Sequence, residues 1–266
     1  MGLSQEKNVN GNHLLEVRNC ALRFGGLHAV AGVSFQVKKG ELLGLIGPNG
    51  AGKSSVFNLV TGIYSPTSGE ILFEGKVCSG LRASKVTAMG LARTFQNVRL
   101  FHSLSVLENV VVAFNLHLSH SWLHAITRGA KFLQEEANVR QQALELLKIF
   151  GLDQAGGRLA TALSYGSQRR LEIVRAMATQ PKLLLLDEPA AGMNTVEKEE
   201  LMQLIRFVQE RFGITVLLVE HDMPLVMGIC RRIVVMEQGK LLAEGTPEEI
   251  QSNPTVIEAY LGRPLP

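Results

Sequence analysis

Gly47-Pro48-Asn49-Gly50-Ala51-Gly52-Lys53-Ser54 satisfies the pattern G-x-x-x-x-G-K-[ST] in full. A loop that closes around a polyphosphate must turn successive backbone N–H groups inward, and glycines permit the angles and the close approach this needs. A helix starting near Gly52 adds the positive end of its dipole. Lys53 reaches β- and γ-phosphates in this pattern, and the Ser54 hydroxyl ligates Mg²⁺. The pattern carries meaning only between a strand and a helix. Residues 41–46 (ELLGLI) read as a short buried strand, and Val56, Phe57, Leu59 and Val60 are apolar at helical spacing. Residues 47–54 therefore predict a nucleoside triphosphate as ligand.

Leu183-Leu184-Leu185-Leu186-Asp187-Glu188 is an apolar run that ends in two carboxylates. A parallel strand buried on both faces has this composition, and its carboxyl end opens into the ligand crevice of an open α/β sheet. Alone, the run reads equally as a core strand meeting a solvated turn. Beside a phosphate loop, Asp187 is placed to hold Mg²⁺, directly or through water, and Glu188 to polarise a water for attack on the γ-phosphate. Leu163-Ser164-Tyr165-Gly166-Ser167-Gln168-Arg169-Arg170 opens an amphipathic helix with Leu171, Ile173, Val174 and Ala178. Ser164 with Gly166 is an anion site at a helix start or, taken alone, an ordinary N-cap.

The phosphate loop, an isolated Gln96, Leu163-Ser164-x-Gly166, Asp187-Glu188 and a strand ending in Glu220-His221 occur together in the chain. This set and order resembles the ATP-binding subunits of ABC transporters, from about Leu14 to the C-terminus. The resemblance implies a two-chain active site with ATP and Mg²⁺ as cofactors. Gly47, Pro48, Asn49, Gly50, Ala51, Gly52, Lys53, Ser54 and Ser55 would wrap the phosphates in one protomer. Ser164 and Gly166 would close on the γ-phosphate bound by the partner. Gln96 would sense Mg²⁺ and the attacking water, on a loop that faces the membrane subunits. His221 would contact the γ-phosphate and orient the water with Glu188. Phe24 matches the aromatic that stacks on adenine, although an aromatic at a strand end can equally pack on the core.

Three positions depart from the commoner pattern. Tyr165 stands at the third place and Ser167 at the fifth place of a signature that usually reads Leu-Ser-Gly-Gly-Gln, and Asn194 stands where Asp is usual. Tyr165 takes Gly-only backbone angles less freely, which bears on the loop there. Leu163-Ser164-Tyr165-Gly166, residues 168–173 (QRRLEI), residues 93–101 (RTFQNVRLF) and Pro189-Ala190-Ala191-Gly192 look like the larger ATP-binding subunit of branched-chain (hydrophobic) amino-acid importers. A stretch from about Asn115 to Glu136 is a further mark of that group. Lipopolysaccharide-export ATPases are the alternative within the family. The resemblance implies two membrane permease subunits and a second ATP-binding subunit as partners, a solute-binding protein indirectly, and a peripheral place on the cytoplasmic side of the inner membrane.

Composition sets limits on other readings. With 266 residues and 46% hydrophobic content the chain can bury one substantial core. A net charge of +3 and the lack of a Lys/Arg block argue against nucleic acid. Cys20, Cys78 and Cys230 are far apart and lack metal spacing, as expected of reduced thiols in a cytoplasmic chain. No apolar run reaches membrane-spanning length. A soluble ABC protein of DNA repair or chromosome structure would carry coiled coils or zinc modules, and a P-loop kinase would leave the Ser164 motif unexplained.

The elements that must position these residues follow from periodicity. Residues 1–12 are polar and expected to be disordered, with a single ABC ATP-binding domain over 13–266. Alternation in 15–18 and 33–37 predicts antiparallel strands ahead of the phosphate loop. Residues from about 98 to 161 predict a helical subdomain, with Leu133, Ala137, Leu144 and Leu147 on one apolar face and Gly151 ending the helix. Beyond Leu163, helices alternate with strands at Leu183 and Ile214, a parallel α/β pattern. Residues 233–243 predict a hairpin, and one helix from Pro247 closes the chain. The fold class expected is an α/β P-loop NTPase with a mixed, mainly parallel sheet core, an antiparallel β subdomain and a helical subdomain.

Overall fold

Two sheets share the work of holding the phosphate loop. In a computed structural model, residues 13–114 and 130–261 are described. The expected disorder of 1–12 and most of the 115–136 stretch lie outside those residues. β1 (His13–Phe24), β2 (Leu27–Lys38), β4 (Ser68–Phe73) and β5 (Lys76–Val77) form an antiparallel sheet in the order β2-β1-β4-β5. β3 (Leu42–Ile46), β6 (Leu91–Arg93), β7 (Leu183–Asp187), β8 (Thr215–Val219), β9 (Arg232–Glu237) and β10 (Lys240–Gly245) form the second, in the order β10-β9-β3-β8-β7-β6. All neighbours in it run parallel except the β9–β10 hairpin.

The continuous apolar runs are explained by burial on both faces. Along β3, Leu43 and Leu45 face one core, while Leu42 and Ile46 face the other. β7 divides in the same way, with Leu183 and Leu185 on one side and Leu184 and Leu186 on the other. The first core is closed by the antiparallel sheet and by α1 (Lys53–Val60). The second is closed by α3 (Val106–Phe114), α4 (Ala130–Ile149), α5 (Tyr165–Ala178), α6 (Thr195–Phe212) and α7 (Met223–Ile229). A short α2 (Ala83–Ala88) precedes β6. No helix among the described residues is long and apolar enough to cross a membrane. Cys20, Cys78 and Cys230 are free and buried.

Three expectations are corrected. Residues 98–105 form neither helix nor strand, so the helical stretch begins at Val106. The buried face of α4 is Val139, Ala143, Leu146 and Leu147; Ala137 is exposed and Leu144 half-buried, and the side chain of Leu133 is outside the described set. The positions 139, 143, 146 and 147 are spaced i, i+4, i+7 and i+8 along one helical stripe, the one turned towards the core shared with α3 and α5. Gly151 does end this helix, in the left-handed region at φ 66°. The C-terminal helix is two, α8 (Pro247–Ser252) and α9 (Pro254–Leu261), because Asn253 precedes a proline and is held extended at ψ 115°.

Candidate active site

The carboxyl ends of four adjacent strands, β3, β8, β7 and β6, converge on one cleft, the place where open α/β sheets bind ligands. It has a volume of about 580 Å³ and is lined by residues 49–55, Gln96, Glu188, Gln238 and the β2 segment Leu27, His28 and Ala29. The phosphate loop runs from the end of β3 to the start of α1. Gly52 caps α1 at φ 99°, where a Cβ would stand 2.5 Å from the Ala29 carbonyl oxygen. At Gly47, φ is 149° and a Cβ would stand 2.1 Å from the Met236 carbonyl oxygen. Both positions need glycine for their backbone angles and for close approach. The β9–β10 turn braces the loop from outside, with the Gly239 N–H donating to Ala51 O at 3.0 Å.

Lys53 is buried, and its ammonium donates to Gly47 O at 2.6 Å and Pro48 O at 3.1 Å. Burial pulls its pKa below that of an ordinary lysine, against the opposing attraction of Glu188 and Asp187. Ser54 is exposed at the mouth of α1. Asp187, at the end of β7, is buried and paired with Arg93 Nη2 at 2.7 Å. Glu188 is a non-glycine residue at φ 46°, a left-handed angle that costs about 1–3 kcal/mol and clusters at functional sites. Its N–H donates to Val219 O at 2.8 Å, and its carboxylate accepts from Gln96 Nε2 at 2.8 Å. His221 follows β8, mostly exposed, with Nδ1 3.8 Å from Glu188 Oε2. The neighbouring Glu220 is buried; burial raises its pKa, while backbone donors at Ala190 and His221 oppose the shift.

The structure therefore brings together the phosphate loop, Gln96, Asp187, Glu188 and His221. Ser164, Gly166 and Phe24 stand apart from the cleft lining. Ser164 is an exposed N-cap of α5, accepting from the Ser167 N–H at 3.4 Å. Tyr165 is the first residue of that helix and is absent from the positive-φ positions, so the loop needs no glycine there. Asn194 caps α6 in a reciprocal capping box with Glu197, a role in which asparagine and aspartate rank alike. Phe24 is half-exposed at the β1–β2 turn, edge-on to Tyr64 with ring centroids 5.2 Å apart.

Sequence reasoning missed Arg93, which ties Asp187 to Asn58 of α1 through a second bond at 2.7 Å. It also missed Arg169 and Glu172 of α5, both buried and both bonded to the Gln96 loop. The sequence carries no clear signal for them, because a charge in an amphipathic helix reads as solvent-facing and these two are buried by the loop packed on α5. Residues 98, 100 and 101 line a separate groove of about 800 Å³ with Phe95, Ile63 and Val112.

A phosphate loop, paired carboxylates at the end of a buried strand and a glutamine loop touching the second carboxylate define a P-loop ATPase of the cassette type. The family model described as ABC transporter matches residues 30–191, and one described as Branched-chain amino acid ATP-binding cassette transporter matches residues 240–265. This chain belongs to the ABC transporter family, as an ATP-binding, ATP-hydrolysing cassette. It is 47% identical over 249 residues to the high-affinity branched-chain amino acid transport ATP-binding protein BraF of Pseudomonas aeruginosa, covering 94% of this chain and 98% of that one. LivG of Escherichia coli K12, of the same description, gives the same identity and coverage. Among solved structures, the ADP conformation of MJ1267, an ATP-binding cassette of an ABC transporter, matches with TM-score 0.82 at 31% identity, covering 94% of this chain and 99% of that one. A dimeric post-hydrolysis state of the cassette MJ0796 bound to ADP and Pi matches with TM-score 0.74 at 26% identity, covering 88% and 98%.

Proposed function

We propose that this chain powers the import of branched-chain amino acids, as one of a pair of ATP-binding subunits under two permease subunits, on the cytoplasmic side of the inner membrane. The observation that carries this reading is the 47% identity, over nearly the whole of both chains, to proteins described as branched-chain amino acid transport ATP-binding proteins. A solute-binding protein belongs to the assembly indirectly, and nucleic acid does not. Residues 13–266 act as one ATP-binding domain whose helical part begins at Val106, with Ser164 capping the start of α5.

ATP enters the cleft with its phosphates against the N–H groups of residues 47–55. Lys53, already aimed along the loop, transfers its donors from Gly47 O and Pro48 O to β- and γ-phosphate oxygens. The Phe24 ring takes the adenine from the β1–β2 turn. Ser54, Asp187 and Gln96 would hold Mg²⁺, which would neutralise phosphate charge there. The donor set fits that ion. Mg²⁺ is usually held by one or two carboxylates together with substrate phosphates and waters, and no cluster of three or more His, Cys, Asp or Glu stands among the described residues. Glu188 accepts the proton of the water that attacks the γ-phosphorus, while the bond to the ADP oxygen breaks. Gln96 holds the Glu188 carboxylate, and His221 orients the γ-phosphate. Ser164 and Gly166 close over the nucleotide of the partner subunit, which accords with the exposure of Ser164 and with the place of both outside the lining of this chain's own cleft. The groove beside Phe101 receives a cytoplasmic helix of a permease.

Glu188→Gln tests the assignment of the base. The variant binds ATP with wild-type affinity, accumulates as an ATP-bound dimer on gel filtration, and hydrolyses at least about a hundredfold more slowly. Turnover within twofold of wild type in the assembled transporter removes Glu188 from this role.

A further inference from the structure

The loop that carries Gln96 has no helix or strand of its own over residues 94–99, yet its backbone is pinned along its length by one face of α5. Arg169 Nη1 donates to Phe95 O at 2.7 Å, and Arg169 Nη2 donates to Gln96 O. Glu172 Oε1 accepts from the N–H groups of Phe95, at 3.2 Å, and Arg99, at 3.4 Å. One turn further on, Arg175 donates to Arg99 O. Arg169 is 2% exposed and Glu172 5%, and they pair with each other at 3.4 Å. A buried ion pair is weak evidence for stability, because well-packed apolar residues of similar volume often serve as well or better. What apolar residues cannot do is satisfy four backbone groups of an irregular loop.

Tyr165 completes the arrangement. Its hydroxyl accepts from Arg169 Nε at 3.1 Å and from Nη2 at 2.8 Å, so the planar guanidinium fork is held between the helix start and the loop. Tyr165 directly follows Ser164, and a glycine at this place supplies no hydroxyl. At the far end of the chain of contacts, Gln96 Nε2 holds Glu188 Oε2. A continuous path of hydrogen bonds therefore runs from the residue next to Ser164, through one guanidinium and one loop, to the carboxylate beside the phosphate loop.

We propose that Arg169, held by Tyr165 and paired with Glu172, is a positioning residue that fixes the Gln96 loop on α5 and thereby places the Gln96 amide on Glu188. The proposal rests on the reading of Glu188 as the hydrolytic carboxylate. It makes the helix start that would act on the partner's nucleotide and the base of this chain's own site two ends of one docked unit. Displacing α5 from the loop then withdraws Gln96 from Glu188 without touching the phosphate loop.

The test is a double-mutant cycle between Arg169→Met and Gln96→Ala in the full-length chain within the assembled transporter, read as kcat, KM and equilibrium ATP affinity. Arg169→Met lowers kcat about tenfold or more, the scale of an ångström-sized misplacement of a catalytic group, while ATP affinity stays within threefold. In the Gln96→Ala background, Arg169→Met has no further effect on kcat beyond twofold. Arg169→Lys keeps the charge beside Glu172 but cannot span both carbonyls; it shows the same kcat loss and decides the question if the methionine chain does not fold. Losses that multiply in the cycle, or a kcat within twofold of wild type for the folded single variants, overturn the proposal while leaving Glu188 as base. A Gln96→Ala chain with wild-type kcat overturns the proposal too, because the contact to Glu188 is then not needed; wild-type turnover of Glu188→Gln is what overturns the reading beneath it.

Discussion

Replacing Lys53 by alanine separates nucleotide capture from folding. In the free chain the ammonium is spent on two backbone carbonyls of its own loop, Gly47 O and Pro48 O. ATP offers charged phosphate oxygens instead, and each charge-assisted hydrogen bond contributes about 1.5–3 kcal/mol. Two such contacts amount to about 3–6 kcal/mol, or about 10²- to 10⁴-fold in Kd. The fold is affected far less, because burial already lowers the Lys53 pKa and the ammonium is not well solvated where it sits. Thermal melting with and without ATP reads both effects. At an ATP concentration of 100 times the wild-type Kd, the wild type gains about 2.7 kcal/mol, equivalent to about 5–10 °C for a chain of this size. The alanine chain at that concentration gains about 0.4 kcal/mol or less. The pH dependence has a definite sign. With its folded pKa below the ordinary lysine value of 10.5, Lys53 loses its proton in the folded chain first. Between the folded pKa and 10.5 the unfolded chain binds more protons, so stability of the free chain rises with pH while ATP affinity falls. An alanine chain that binds ATP within threefold of wild type, or keeps its thermal shift, refutes the assignment of Lys53 to the phosphates.

Ser164→Arg leaves ATP binding by the single chain within twofold but abolishes hydrolysis, because the side chain acts on the partner's nucleotide; if the chain pairs with itself, mixing with Lys53→Ala chains restores part of the activity. A Ser164→Arg chain that fails to bind ATP places the residue in its own site or in the fold. Phe101→Ala, at a ring 45% exposed and stacked under the Arg175 guanidinium at 4.7 Å, lowers permease association and transport with ATP binding intact. A fall in melting temperature with normal coupling assigns the ring to the core instead.

The phosphate loop and β7 were legible because each leaves a mark that few other structures leave. Glycines at 47 and 52 meet carbonyl oxygens that no side chain tolerates, and four leucines in a row fit a strand buried on both faces. The hairpin over 233–243 was legible from its turn residues. The α4 face was not, because Ala137, Leu144 and Leu147 share a helical spacing, yet Ala137 is exposed and Leu144 only half-buried against the core that buries Leu147. Arg169 and Glu172 were hidden by a different cause. A charge in an amphipathic helix reads as solvent-facing, and only the loop folded against α5 makes that face an interior. The concern over Tyr165 dissolved once it stood inside a helix rather than in a loop.

The central claim is tested most directly by reconstituting the chain with its permeases, its second ATP-binding subunit and its solute-binding protein in proteoliposomes, with ATP on the side of the cassettes. Accumulation of labelled leucine, isoleucine or valine that requires ATP, and that Glu188→Gln abolishes while the assembly still holds ATP, is the result predicted here. An assembly that hydrolyses ATP at the wild-type rate yet accumulates none of the three contradicts the account.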